Sequence, residues 1–132
     1  AYYHPHKNHF NLINAFGNID KKIDKSYKLL LTIQENNNDL FKDLNSNIIL
    51  FEDLSCQEVF NIYKYVDYLI FPSLSESYGL PLIEAKLNGV KIIASNLDFV
   101  YDVCNPFLVF NPFSIDDIYK KIIISIKSNK RF

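Results

Sequence analysis

Short apolar runs alternate with apolar stripes at helical spacing along this chain. The runs are YKLLLTI (27–33), NIILF (47–51), DYLIFP (67–72), VKIIAS (90–95) and FLVF (107–110). Each is too short for a typical helix and shows no strict polar alternation, which predicts strands buried on both faces. The tail of a further strand is expected at 1–3. The stripes fall between the runs. Leu12, Ala15, Phe16 and Ile19 share one face of a helix that follows HPHKN. Val59, Ile62, Tyr63 and Val66 share one face of a helix expected from Ser55 through Tyr65, opened by the capping box of Ser55 and Glu58. LPLIEAKLNG (80–89) puts Pro81 in a first turn and Gly89 at a stop. DFVYDVC (98–104) predicts a short helix. Ser114 and Asp117 open a last helix that carries Ile115, Ile118, Ile122 and Ile126 on one face. Between the first two runs, ENNNDLFKDLNS (35–46) is a polar connection with a helical turn or two.

Buried strands alternating with amphipathic helices define an α/β class: a Rossmann-like parallel sheet with helices on both faces. Such sheets bind ligands at the carboxyl ends of their strands, where loops lead into helices. ESYGLPLIE (76–84) is such a loop, and it places two acids around a glycine. Gly79 permits positive φ or a close backbone approach, and the helix that follows offers unpaired N–H groups and a partial positive charge. That combination suits phosphate. Glu84 lies one turn inside the helix, leaning toward its N-terminus, and Glu76 reaches the same mouth from the strand side. Carboxylates only accept hydrogen bonds, so their natural partners are hydroxyl groups flanking the phosphate. A central diphosphate with hydroxyl-bearing rings on both sides fits, and a nucleotide sugar has that layout. Lys7, in the first strand-to-helix loop, supplies a point charge for phosphate.

Composition narrows the picture without changing it. At 132 residues, 48% hydrophobic and 22% charged, the chain is expected to form one globular domain, 1–132. A net charge of −1 and a single arginine, Arg131, speak against nucleic acid as a partner. No apolar run approaches the roughly 20 residues of a membrane-spanning helix. The absence of methionine suggests a fragment of something longer or a processed chain. Cys56 and Cys104 are far apart and are read as free thiols in a reducing compartment. His4, His6 and His9 have no acid or cysteine beside them in sequence, and are read as loop histidines rather than metal ligands.

The segment FPSLSESYGLPLIEAKLNGVKIIAS (71–95), with its glutamates seven residues apart, resembles the C-terminal domain of the group 1 glycosyltransferases of GT-B fold. PHKNHFNLINAF (5–16) resembles that family's opening lysine loop and first helix. NIILFEDLSCQEVFNIYKYVDYLIFPS (47–73) resembles the segment that leads into its two-glutamate motif, and LVFNPFSIDDIYKKI (108–122) its closing strand and helix. The resemblance implies one half of a GT-B architecture, the donor-binding half of a retaining glycosyltransferase. It implies that Glu84 holds the ribose hydroxyls and that Glu76 touches the donor sugar. The amides around Ser77, Tyr78, Gly79 and Leu80 would receive the diphosphate, while Lys7 neutralises charge on the leaving group. No metal or cofactor is implied, since lysine and helix dipole take the cation's part. Where the family often carries an arginine upstream of the lysine, this chain has Ala1, with His4 and His6 as nearby substitutes.

The expected partners are a nucleotide-diphosphate sugar, an N-terminal domain of the same protein, and a glycan or lipid-linked acceptor. The expected setting is bacterial surface polysaccharide synthesis in the cytoplasm, with peripheral membrane association of the full-length protein at the inner face. A lone half of such an enzyme is expected to be inactive. Two other classes stay open at the level of residues: a GT-B-type sugar-nucleotide epimerase, and a non-catalytic α/β nucleotide-binding or scaffold module.

Overall fold

The structure is a computed structural model, described here for residues 4–19, 27–33 and 39–129. The strand tail expected at 1–3 lies outside the described residues. A single 3-10 turn, Pro5–Lys7, leads into α1 (His9–Gly17). The chain then runs through β1 (Leu29–Ile33), β2 (Ile48–Glu52), α2 (Cys56–Ile62), β3 (Tyr68–Phe71), α3 (Leu80–Leu87), β4 (Lys91–Ser95), α4 (Asp98–Tyr101), β5 (Leu108–Phe110) and α5 (Ile115–Ser128). Part of the polar connection before β2 forms a 3-10 turn, Asp39–Phe41.

All strand pairings among the described residues are parallel, and they form two ladders. β1 pairs with β2, aligning Leu29 with Ile48 and Ile33 with Glu52. β3, β4 and β5 form a three-stranded sheet in that order. The continuous apolar runs are explained by β4, whose residues 92–95 are all buried. Its side chains alternate between two cores, as a period-2 strand requires. Ile93 joins the core built from Leu12, Ala15 and Phe16 of α1, Ile118, Ile122 and Ile126 of α5, and both strands of the smaller ladder. Ile92 and Ala94 face the opposite core, with Leu82 and Ala85 of α3 and Val100 of α4. Helices therefore cover both faces of the sheet, and the first core joins the two ladders.

Local sequence fixes the helix ends near the site. In α2 both arms of the capping box form: Ser55 Oγ accepts from the Glu58 N–H at 3.1 Å, and Glu58 accepts from the Ser55 N–H at 3.0 Å. The helix stops at Ile62 rather than Tyr65. Beyond it, the Lys64 and Tyr65 N–H groups reach back only three residues, to Asn61 and Ile62, which tightens the last turn. Tyr63 thereby drops into the core while Tyr65 stands in solvent. Val59, Ile62 and Val66, expected to be buried, are only half-buried.

α3 ends in a Schellman arrangement. Gly89 adopts φ +68, the Val90 N–H donates to the Ala85 carbonyl at 2.9 Å, and the Gly89 N–H donates to Lys86 at 3.2 Å. Val90 packs against the same core as Ala85, so the helix leads straight into β4. Both cysteines are free thiols, Cys56 exposed and Cys104 buried. Burial raises the Cys104 thiol pKa, which keeps it protonated and inert.

Candidate functional site

The loops at the carboxyl ends of the strands meet where the sequence places its candidate chemistry. Three of them are bonded together. The Leu74 N–H, just past β3, donates to the His6 carbonyl at 2.7 Å. Asn8 Nδ2 donates to the Pro72 carbonyl at 3.0 Å and to the Pro112 carbonyl, past β5, at 2.8 Å. Asn11 Nδ2 donates to the same Pro112 carbonyl at 2.9 Å. Lys7 is half-buried between two of these attachments, and among the described residues it forms no ion pair with Glu76 or Glu84.

Glu76 is half-buried, and its carboxylate accepts from the buried Ser73 hydroxyl at 3.2 Å. Ser77 and Tyr78 follow as exposed loop residues and lead to Gly79. Gly79 is the N-cap of α3, in the left-handed conformation at φ 61 and ψ 40. A β-carbon there would be strained by that φ and would meet Leu82 Cδ1 at 3.3 Å. A glycine has no side chain with which to cap, so no side-chain oxygen covers the first turn of α3. Leu80 and Pro81 begin the helix, and Pro81 has no N–H to satisfy. The result is a helix start without a side-chain cap, at the same end of the sheet as the Lys7 loop.

Glu84 lies one turn into α3 and is half-buried. Its neighbour across the fold is Tyr63, a residue that periodicity identified only as core. The Tyr63 hydroxyl sits 3.5 Å from the Pro81 carbonyl. Burial first, then the charge and hydrogen bonding of Glu84, raise its pKa well above the ordinary tyrosine range. The Tyr63 hydroxyl is thereby held protonated, and it lies between the Pro81 carbonyl and the charge of Glu84. Its signal in the sequence is weak, because nothing local distinguishes a tyrosine with a polar task from one that fills space.

The histidines beside Lys7 divide by environment. His4 and His6 stack, with ring centroids 5.4 Å apart. His9 packs edge-on against Phe41 at 5.5 Å. Burial first, and then the nearby Lys7 charge, push its pKa down to about 4, so it is neutral at pH 7. At neutral pH, then, His9 adds no positive charge beside Lys7.

This geometry defines a Rossmann-like α/β domain with a helix start that has no side-chain cap, a lysine loop bonded to the β3 end that precedes it, and a glutamate on each side of that start. Comparison with known proteins narrows that class. Residues 2–131 match the family described as glycosyl transferases group 1, and the chain belongs to it. It is similar to the serotype-specific mannosyltransferase WbdA of Escherichia coli, at 27% identity over 86% of this chain and 15% of the relative. It is also similar to the O-antigen chain mannosyltransferase RfbU of Salmonella typhimurium, at 28% identity over 82% of this chain and 32% of the relative. The chain therefore spans about a third or less of these curated relatives.

Among solved structures, the C-terminal domain of a glycosyl transferase group 1 family protein (LpcC) from Francisella tularensis superposes with a TM-score of 0.79 at 18% identity, covering 95% of this chain and 71% of that one. A glycosyltransferase from Rickettsia africae gives 0.77 at 19% identity, covering 96% and 36%. At these identities the likeness is one of fold, and the fold is the Rossmann-like half of the GT-B architecture. Among the described residues no helix is long and apolar enough to cross a membrane.

Proposed function

We propose that this chain is the donor-binding domain of a glycosyltransferase that moves a sugar, with retention, from a nucleotide sugar to a glycan or lipid-linked acceptor. The observation that carries the proposal is the bonding of the Lys7 loop to the β3 end that presents Glu76, beside the uncapped start of α3. Phosphate needs cation and N–H donors together, and these are the two elements joined here. In this reading the diphosphate lies across the helix start, against the amides of Ser77, Tyr78, Gly79 and Leu80 and within reach of Lys7. Glu84 accepts from the ribose, Glu76 from the donor sugar.

As the glycosidic bond breaks, negative charge grows on the diphosphate leaving group. A fixed lysine and a helix start aimed at that charge stabilise the transition state more than the ground state. This is the part a bound metal takes in other transferases, and no metal is assigned to the reaction. That both relatives are mannosyltransferases, one of them of an O-antigen chain, favours a mannosyl donor and bacterial surface-polysaccharide synthesis. The acceptor and a second wall of the cleft would come from an N-terminal domain of the same protein, which also supplies any peripheral contact with the membrane.

Calorimetric titration of the chain with UDP, GDP and ADP, with the matching nucleosides and with free hexose tests the reading. One diphosphate is expected to bind well, its nucleoside far more weakly and the hexose not measurably. Failure of all three diphosphates, or equal affinity for nucleoside and diphosphate, contradicts it. Tyr63→Phe probes the ribose side. If the Tyr63 hydroxyl orients Glu84, its loss should cost about 0.5–1.5 kcal/mol, or roughly 2- to 12-fold in diphosphate affinity. Unchanged affinity would mean that Glu84 is oriented without it.

A further inference from the structure

Asn8 is buried, adopts φ 65 and ψ 33, and stands at the N-cap of α1. An asparagine in that position ordinarily turns its side chain onto its own helix and accepts from the first-turn N–H groups. Here it makes no such cap. Its amide crosses the fold instead and meets two carbonyls 64 and 104 positions away in the chain. Both partners are acceptors only, so the amide nitrogen must face them, and its two hydrogens are used in full. The helix has given up a local cap for a long-range attachment.

That attachment has a particular place. His6 and Asn8 flank Lys7, and they bond respectively to Leu74 and Pro72, which flank Ser73. Ser73 in turn donates to Glu76. Lys7 and Ser73 therefore lie in two loops pinned on either side of each of them, and Ser73 links the second loop to the carboxylate. We infer that Asn8 is a positioning residue that sets the Lys7 loop against the strand end carrying Ser73 and Glu76, so that cation and carboxylate are held as one unit. The inference rests on the proposed roles of Lys7 at the diphosphate and Glu76 at the sugar. Asn8 itself touches no ligand. Its effect passes through backbone geometry, where small misplacements carry large costs.

The test is a double-mutant cycle between Asn8→Gly and Lys7→Ala, read by calorimetry with the diphosphate that binds the unmutated chain and with its nucleoside. Glycine adopts the left-handed φ freely and removes the side chain together with both of its bonds. Asn8→Gly should lose roughly 10-fold in diphosphate affinity while sparing the nucleoside, and Lys7→Ala should cost markedly less in its presence than alone. A purely structural Asn8 would lower the melting temperature, leave the affinity of the folded chain unchanged and leave the Lys7→Ala loss at full size. That outcome overturns the inference.

If Asn8→Gly does not fold, Ser73→Ala tests the other half of the unit, the link from the pinned strand end to Glu76. It should lower nucleotide-sugar affinity several-fold while sparing the plain diphosphate, and an unchanged nucleotide-sugar affinity overturns the inference. A Lys7→Ala single variant with no loss at all would instead show that the functional reading beneath it is wrong.

Discussion

Lys7→Ala is expected to weaken a nucleoside diphosphate by roughly 10- to 150-fold, corresponding to about 1.5–3 kcal/mol for one charge-assisted contact, and to leave the nucleoside almost untouched. Only the diphosphate presents charge to the lysine, which is why the two ligands should separate. Lys7 is half-buried and among the described residues has no ion pair with either glutamate, so its charge is not already compensated by them. Its neighbour His9 is held neutral at pH 7 chiefly by burial, which the substitution leaves in place, and so does not take over. Folding should be little affected, because the loop is held by the bonds of His6 and Asn8 rather than by the lysine. Calorimetry with paired ligands reads the difference directly. Equal losses for nucleoside and diphosphate would place Lys7 away from the phosphates.

What the sequence makes legible here is what depends on neighbours in the chain. The capping box of Ser55 and Glu58 is a four-residue pattern, and both of its bonds form. Ser114 accepts from the Asp117 N–H at 3.0 Å, as the spacing predicts. Gly79 and Gly89 mark the start and stop of α3 because left-handed φ is local and glycine adopts it freely. The buried strands are visible as continuous apolar runs because β4 and its neighbours are covered on both faces.

What is not legible depends on contacts far along the chain. The apolar stripe continues to Val66, yet α2 stops at Ile62, and the tightened turn beyond it sets the Tyr63 hydroxyl 3.5 Å from the Pro81 carbonyl of α3. Buried as it is, Tyr63 also feels the charge of Glu84, which with burial raises its pKa. Asn8, which the sequence does not single out, stands at the start of α1 and in the fold is a clasp between three loops. In both cases the residue type was visible and the partner was not. The candidate anion site was readable for the opposite reason: glycine, helix start and both acids lie within one short segment, 76–84.

That segment carries the central claim, which is a division of labour between its two glutamates. Glu84→Gln and Glu76→Gln keep side-chain size and remove charge, so packing should change little. If Glu84 accepts from the ribose hydroxyls, Glu84→Gln should weaken the native diphosphate by about 1–3 kcal/mol, roughly 5- to 150-fold. It should barely affect the 2′,3′-dideoxy analogue, from which those hydroxyls are already missing. If Glu76 faces the sugar, Glu76→Gln should spare the plain diphosphate and weaken only the nucleotide sugar. The most direct measurement is therefore calorimetric titration of both variants against diphosphate, dideoxy analogue and nucleotide sugar. Separation of the two variants by ligand is the predicted result, and equal loss of the plain diphosphate in both would contradict the account.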